Sequence, residues 1–191
     1  MRNMFYRAAL APLLLLTTLP AQAADWVLDS ATSKVVFQYS YSGTPYQGAF
    51  TNIEGTFDID PANPAACSFT VSINIEDIAI DDAETLSYLL DVEMFDVDQF
   101  PTAKFTAEKC RLDSTGAFVS DGMLTIRDQT HPVSFPFNLE VTTAGGKIGF
   151  HMTSEVTIQR LAFGVGQGYL ANTSAIPNDV IVSIDVHAVQ Q

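Results

Sequence analysis

The three histidines of this 191-residue chain are the side chains with the widest chemistry, because an imidazole can act as a general base or bind a metal ion. His131 precedes Pro132 in a predicted turn, whereas His151 and His187 fall on the polar sides of alternating segments. None of them projects from a clearly apolar face. The sequence therefore does not support a zinc or general-base site built on histidine, and we expect no metal ligands.

Acidic side chains are the second group that could do chemistry. Carboxylates bind Ca²⁺, but the spacing and central glycine of an EF-hand loop are missing, so a solvated helix face is the expectation. Nucleophile-elbow, phosphate-loop and dinucleotide-binding motifs are also missing from the sequence, and we expect no catalytic residues. The acids are densest between positions 81 and 98, where no basic residue occurs: Asp81, Asp82, Glu84, Asp91, Glu93, Asp96 and Asp98.

The beginning of the chain has the pattern of a secretory signal peptide. Arg2 and Arg7 supply a positive start, residues 8–16 an apolar stretch, and Ala21-Gln22-Ala23 a small-residue cleavage motif. The apolar stretch is shorter than the roughly 20 residues of a membrane-spanning helix. We expect cleavage of residues 1–23, which would leave residues 24–191 as one exported domain without a transmembrane segment.

Removal of that segment changes the net charge from −13 to −15, because two arginines and no acids leave with it. A surface this acidic repels phosphate groups, so nucleic acid is not an expected partner. The sequence leaves open whether the protein is a monomer or a homodimer.

Cys67 and Cys110 are the two cysteines, and an even pair in an oxidising compartment favours a disulfide. Cys67 shares the inward parity of Phe69, but Cys110 has the opposite parity to Phe105 and Ala107. Pairing would therefore require a bulge or bend in the second strand. Two separate buried thiols are the alternative. A redox enzyme is not indicated, because the pair lacks CxxC spacing.

Short alternating segments separated by turn sequences dominate the rest of the chain. A period of two gives each strand one apolar and one polar face, which favours an antiparallel barrel or sandwich. Predicted hairpin turns fall at residues 113–116, 127–132 and 143–147. The predicted strands are Trp26–Leu28, Val35–Tyr41, Gly55–Ile59, Cys67–Ile75, Ala103–Ala107, Met123–Ile126, Val133–Val141, Ile148–Ile158 and Val180–Ala188.

One segment, Asp81–Asp98, breaks the strand pattern. Leu86, Leu89, Leu90 and Met94 recur there at helical spacing, the two acids at 81 and 82 can cap the first turn, and a proline at 101 ends the segment. An amphipathic helix in a β chain can plug the mouth of a barrel, or it can merely cover a sheet edge.

Several short motifs follow one another along the chain in a particular order and spacing. They are Trp26–Asp29, Ser33–Phe37, Gly48–Phe50, Ile53–Phe57, Phe95–Val97, Phe100–Phe105, Gly122–Ile126, Thr130–Val133, Arg160–Val165 and Asp179–Val182. In these motifs the chain resembles the YceI-like family of exported bacterial proteins. The resemblance implies a lipocalin-like antiparallel β-barrel of about eight strands, with one helix near the barrel mouth and a long isoprenoid chain bound inside. Asp128 stands where the family commonly has a turn glycine, and aspartate tolerates positive φ better than most residues.

We expect apolar and aromatic side chains to line the cavity. Arg160 shares the inward parity of Ile158 at the end of a strand. It is expected at the mouth, where it would meet a polar headgroup or form a salt bridge with an acid of the helical segment. The candidate lining residues are Phe37, Tyr39, Phe57, Phe69, Val71, Ile73, Leu86, Leu89, Phe105, Phe135, Phe137, Phe150 and Phe163.

These expectations describe a periplasmic carrier that needs no cofactor and buries a polyprenyl phosphate or prenyl quinone without a covalent bond. An enzyme acting on a lipid or small apolar substrate is the first alternative, and it would need titratable groups converging in the cavity. A barrel filled by its own side chains, with its acidic surface turned to a basic protein partner, is the second. Small barrels occur both filled and hollow, so the resemblance is what favours a cavity.

Overall fold

The computed structural model describes residues 26–60, 63 and 67–191, so the predicted signal peptide lies outside the described residues. Within these ranges the chain folds into eleven strands and one α-helix, with 3₁₀ turns at Ile75–Asp77, Arg160–Phe163 and Gly168–Ala171. The helix is α1 (Ala83–Leu90). The strands are β1 (Trp26–Leu28), β2 (Lys34–Tyr41), β3 (Thr44–Phe50), β4 (Ile53–Asp58), β5 (Ser68–Asn74), β6 (Ile78–Ala79), β7 (Thr102–Leu112), β8 (Phe118–Ile126), β9 (Gln129–Ala144), β10 (Lys147–Gln159) and β11 (Asp179–Gln190).

All strand pairs are antiparallel, in the order β4-β5-β7-β8-β9-β10-β11-β2-β3-β6, with β1 added beside β11. The long strand β9 links two parts of the sheet, because its first half pairs with β8 and its second half with β10. The sheet curls until β1 meets the end of β4, where the indole Nε1 of Trp26 donates a hydrogen bond of 3.1 Å to the carbonyl of Ile59. The predicted all-β barrel with one helix is confirmed, although it has more strands than expected.

The sequence analysis missed β3 and β6. In β3, Pro45 and Gly48 interrupt the alternation, and both residue types are uncommon inside strands. The structure gives Gly48 a packing reason. It pairs with Phe37 of β2, and a side chain at position 48 would overlap the ring of Phe37. The missing side chain thus makes room for an aromatic ring that faces the barrel interior.

The predicted helix begins where expected but ends early. Asp82 caps α1, since its Oδ2 accepts a hydrogen bond of 2.8 Å from the backbone N–H of Thr85. The helix stops at Leu90 rather than continuing to Asp98. There the chain folds back, with the N–H of Phe95 donating to the carbonyl of Leu89 over 3.0 Å. The apolar spacing therefore predicted burial beyond the point where helical geometry ends.

The alternation of apolar and polar residues did not predict the geometry at two places, the disulfide and the turn between β8 and β9. Cys67 and Cys110 form a disulfide with their Cα atoms 5.3 Å apart. The register of β7 against β8 shifts between Ala107 and Lys109, so Ala107 and Cys110 are both buried despite their opposite parity. In the β8–β9 turn, Arg127 rather than Asp128 has the positive φ, at 54°.

Candidate functional site

An apolar cavity of about 200 Å³ lies inside the barrel. A water molecule takes up roughly 30 Å³ in the liquid, so the cavity has room for about seven groups of water or methylene size. Among the described residues that line it, Tyr39 and Arg160 carry the only polar side-chain atoms. Below the cavity the barrel is closed by a packed cluster that includes Trp26, Phe137 and Phe150. The space therefore suits an apolar group and offers little to a polar one.

The structure places most of the candidate lining residues around this cavity: Phe37, Tyr39, Phe57, Phe69, Val71, Ile73, Leu89, Phe105 and Phe135. The other four do not line it. Phe137 and Phe150 lie in the packed closed end, where the Phe150 ring stands edge-on to Trp26 at 4.9 Å. Phe163 packs edge-on against His131 at 5.1 Å, and Leu86 is only partly buried on the helix. Parity predicts the face of a residue but not its height along the barrel.

Several lining residues were missed by the sequence analysis. Strand β11 turns four aliphatic side chains toward the cavity, and their alternation was a usable signal. Val35 and Ile158 belong to predicted strands with the correct parity. Met94 and Phe95 follow the helix, where no regular period predicts direction. The missed residues of β11 are Val180, Val182, Ile184 and Val186.

The helical segment covers the cavity instead of merely lying at a sheet edge, because Leu89, Met94 and Phe95 contribute to the cavity wall. Arg127, in the turn between β8 and β9, holds this segment in place. Its guanidinium donates to the carbonyl of Val92 over 2.9 Å and also to that of Met94. No sequence pattern singled out Arg127 for this role.

Arg160 is buried, with 4% of its surface exposed, so the expected position at an open mouth is wrong. Its Nε donates to the carbonyl of Pro177 over 3.0 Å, and its Nη2 to those of Leu170 and Ile176 over 2.9 and 2.8 Å. Its Nη1 donates to the carbonyl of Val165 over 2.9 Å. None of the described acids forms a salt bridge with it.

The physical reason for this arrangement is the cost of burying a charge, which carbonyl dipoles offset when all the donors are satisfied. Burial lowers the pKa of the Arg160 guanidinium from its ordinary value. Because its donors are occupied by the chain, the side chain fixes the loop between β10 and β11 against the cavity.

A groove of about 450 Å³, lined by both apolar and polar side chains, adjoins the cavity at Tyr39, whose side chain lines both. The ring of Tyr39 stacks on that of Tyr46 at 5.5 Å. Burial raises the pKa of the Tyr39 phenol, with smaller contributions from Tyr46 and the Asp82 carboxylate. Gln38, Gln47 and Asp179 add polar groups to the groove. Tyr39 thus marks the border between the apolar interior and an outer groove that offers some polar groups.

No helix in the described part of the chain is both long and apolar enough to cross a membrane.

The fold and the cavity together define an antiparallel β-barrel with room for one apolar group. The sequence of residues 26–188 matches the family model of the YceI-like domain, and this chain belongs to the YceI-like family. The predicted family is therefore confirmed.

Relatives of known sequence and structure agree with this assignment. A UPF0312 protein of Vibrio cholerae is 30% identical over 128 residues, which are 65% of this chain and 67% of that protein. A UPF0312 protein of Shewanella baltica is 26% identical over 175 residues, or 88% of this chain and 91% of that protein.

Two solved structures share the fold. BcnA of Burkholderia cenocepacia superposes with a TM-score of 0.73 at 24% identity, covering 84% of this chain and 99% of that one. A polyisoprenoid binding domain from Saccharophagus degradans, implicated in plant cell wall breakdown, gives a TM-score of 0.66 at 12% identity. That match covers 88% of this chain and 99% of the other.

Proposed function

We propose that this protein binds an isoprenoid lipid, with the end of the prenyl chain inside the barrel and the headgroup outside it. The observation that carries the proposal is the cavity, whose wall is apolar except at Tyr39 and Arg160. Membership of the YceI-like family supports it, as does the shared fold with a domain described as polyisoprenoid binding.

The size of the cavity sets how much of the chain it holds. About seven methylene-sized groups correspond to roughly one to two isoprene units. At about 0.8 kcal/mol for each buried methylene, their transfer from water contributes roughly 6 kcal/mol before the cost of association. The gain favours burial of the chain end, and a longer chain would extend beyond the cavity.

The headgroup would lie in the groove beside Tyr39, where the hydroxyl and side-chain amides can donate or accept hydrogen bonds. A headgroup contact with Arg160 is less favourable, because it would have to displace carbonyls that already accept from the guanidinium. A neutral or weakly charged headgroup, such as a quinone ring, fits this groove better than a phosphate. The nearby acids Asp82 and Asp179 would repel a phosphate.

The two alternatives have less support. An enzyme needs acids, bases or nucleophiles at the reacting atoms. The described cavity wall offers one phenol and one guanidinium, whose N–H donors are already occupied by carbonyls. A barrel filled by its own side chains would not leave a space of about 200 Å³. A carrier that acts by burial alone is consistent with both observations.

We also propose that the protein acts in the periplasm. The signal-like segment at residues 1–23 and the disulfide between Cys67 and Cys110 support this location, since disulfides persist in oxidising compartments.

The first test is to express the full chain, purify it from the periplasm and identify co-purifying molecules by native mass spectrometry and organic extraction. A stoichiometric prenyl species supports the proposal and names the ligand. A protein that emerges empty and takes up no added prenyl quinone or polyprenyl phosphate contradicts it.

A series of prenyl alcohols then tests the cavity itself. We expect affinity to rise from one to two isoprene units and to change little from three to eight, because the added units lie outside the cavity. A steady rise through eight units would show that the cavity does not set the bound length.

A further inference from the structure

A cluster of two histidines and one aspartate lies on the outer face of the barrel, away from the cavity. The Nε2 atoms of His151 and His187 lie 2.8 and 3.2 Å from the same oxygen, Oδ1 of Asp185. The two imidazole rings stack at 4.0 Å with 9° between their planes. One potential ligand atom from each of the three residues lies within 4.8 Å of the others.

The register of β10 and β11 creates this cluster. His151 and His187 are direct cross-strand partners, and Asp185 precedes His187 by two residues, which places it on the same face. The neighbours of His187 in the strand, Val186 and Ala188, point inward and are buried. The interior packing therefore fixes which way all three polar side chains point.

The backbone of His187 is fixed by more than the sheet. Its N–H donates to Oγ of the buried Ser33 over 2.9 Å, and its carbonyl accepts from the N–H of Asp29 over 2.8 Å. The hydroxyl of Ser33 in turn donates to the same carbonyl over 3.3 Å. These contacts hold the backbone of His187 against the loop after β1, so the strand that carries two of the three side chains is fixed before any ligand binds.

We propose that His151, Asp185 and His187 form a binding site for a divalent transition-metal ion such as Zn²⁺. Neutral imidazole nitrogens and a carboxylate oxygen are ligands that Zn²⁺ accepts at about 2.0–2.2 Å in tetrahedral geometry, which separates ligand atoms by roughly 3.3 Å. The observed spacings between Nε2 and Oδ1 are close to that separation. The stacked rings would turn about their side-chain bonds to aim both nitrogens at one ion, and the metal would replace the hydrogen bond between His151 and Asp185. Three protein ligands leave at least one position for water.

The charged groups beside the cluster are one acid and one base. On the same face, Glu140 of β9 is the cross-strand partner of His151, and Lys34 of β2 is the partner of Asp185. The negative charge of Glu140 and the positive charge of Lys34 oppose each other, so the local electrostatic field does not select the ion. Selection comes from the imidazoles, which bind Zn²⁺ in preference to the hard cations Ca²⁺ and Mg²⁺.

The site does not depend on lipid binding. Its three side chains are part-exposed on the outer surface, with 28%, 38% and 37% of the side-chain surface of His151, Asp185 and His187 accessible, and none of them lines the cavity. Loss of metal binding and loss of lipid binding can therefore be measured separately.

Isothermal titration of the intact protein with zinc sulfate at neutral pH tests the proposal. We expect one Zn²⁺ for each chain, and at least a 100-fold loss of affinity in His151→Ala and in His187→Ala, because losing a ligand costs more than the roughly 10–100-fold typical of outer-shell changes. His131→Ala is the matched control, since the third histidine contacts the carbonyl of Ala162 outside the cluster. Thiols do not compete, as both cysteines are in the disulfide.

A titration with calcium chloride separates this site from general binding to the acidic surface. The proposal is overturned if Ca²⁺ competes equally with Zn²⁺, or if His187→Ala binds Zn²⁺ as tightly as the unaltered protein. Ring signals in the NMR spectrum give a second measurement that needs no variant. Zn²⁺ should shift the rings of His151 and His187 and leave His131 unchanged, and a shift confined to His131 would also refute the assignment.

Discussion

Arg127 and Asp96 both hold left-handed backbone conformations, with φ of 54° and 52°, and their side chains meet at 3.4 Å. Each side chain is less than a tenth exposed. The guanidinium also lies 5.5 Å from the ring centre of Phe100 and donates to two carbonyls of the segment after α1. One turn of the sheet therefore holds the segment that covers the cavity.

Removing one partner of this pair should destabilise the fold strongly. We expect Arg127→Met to lower the free energy of unfolding by about 3–5 kcal/mol, because the buried Asp96 carboxylate loses its charged partner and keeps only the hydrogen bond from Gln99. Urea unfolding measures the change. Arg111→Met is the matched control, because its 2.8 Å pair with Asp121 is screened by solvent and should contribute little to stability. Equal effects of the two substitutions would show that the buried pair of Arg127 and Asp96 contributes no more to stability than the exposed pair.

Replacing Gly166 by alanine should destabilise the fold by more than the strain of its left-handed backbone conformation alone. It has φ of 88°, and a Cβ there would overlap Nη1 of Arg160. Gly116 has φ of 84° and open space around it, which makes Gly116→Ala the matched control. We expect Gly116→Ala to cost about 1–2 kcal/mol from backbone strain. Gly166→Ala should cost clearly more in thermal unfolding, and equal costs would mean that Arg160 relocates freely.

A large side chain inside the cavity should exclude the lipid without unfolding the barrel. Val156 lines the cavity, and its neighbour Thr157 points outward and is exposed. We expect Val156→Trp to abolish uptake of a prenyl quinone and Thr157→Trp to retain it, as measured by fluorescence titration. If the interior were solidly packed, Val156→Trp would instead destabilise the fold by about 1–3 kcal/mol through overpacking.

The stabilisation that the Asp82 cap gives to α1 should be lost at low pH. Hydrogen bonds from the side chain and then the backbone of Thr85 hold the pKa of the Asp82 carboxyl below its usual range. A lowered pKa in the folded state gives a stabilisation that is present above the unfolded value and is lost as the pH falls through the folded value. NMR titration should find the Asp82 pKa raised toward its usual range in Thr85→Ala and unchanged in Ser87→Ala. An unchanged value in Thr85→Ala would contradict the assigned cause.

Local patterns in the sequence determined which residues face inward and where several elements begin. The alternation of β5, β9 and β10 predicted their buried faces because successive strand residues point to opposite sides whatever lies next to them. The cap at Asp82 and the turn at Gly145 and Gly146, both with positive φ, are likewise local.

Tertiary structure alone decided which side chains meet. Phe135 lines the cavity and Phe137 fills the closed end, although both share one face of β9, because height along the barrel depends on the neighbouring strands. The same dependence aligns His151 with His187, buries Arg160 among carbonyls and brings Arg127 to Asp96. A two-residue period is a property of one strand, whereas register and closure are set by pairings between segments far apart in the chain.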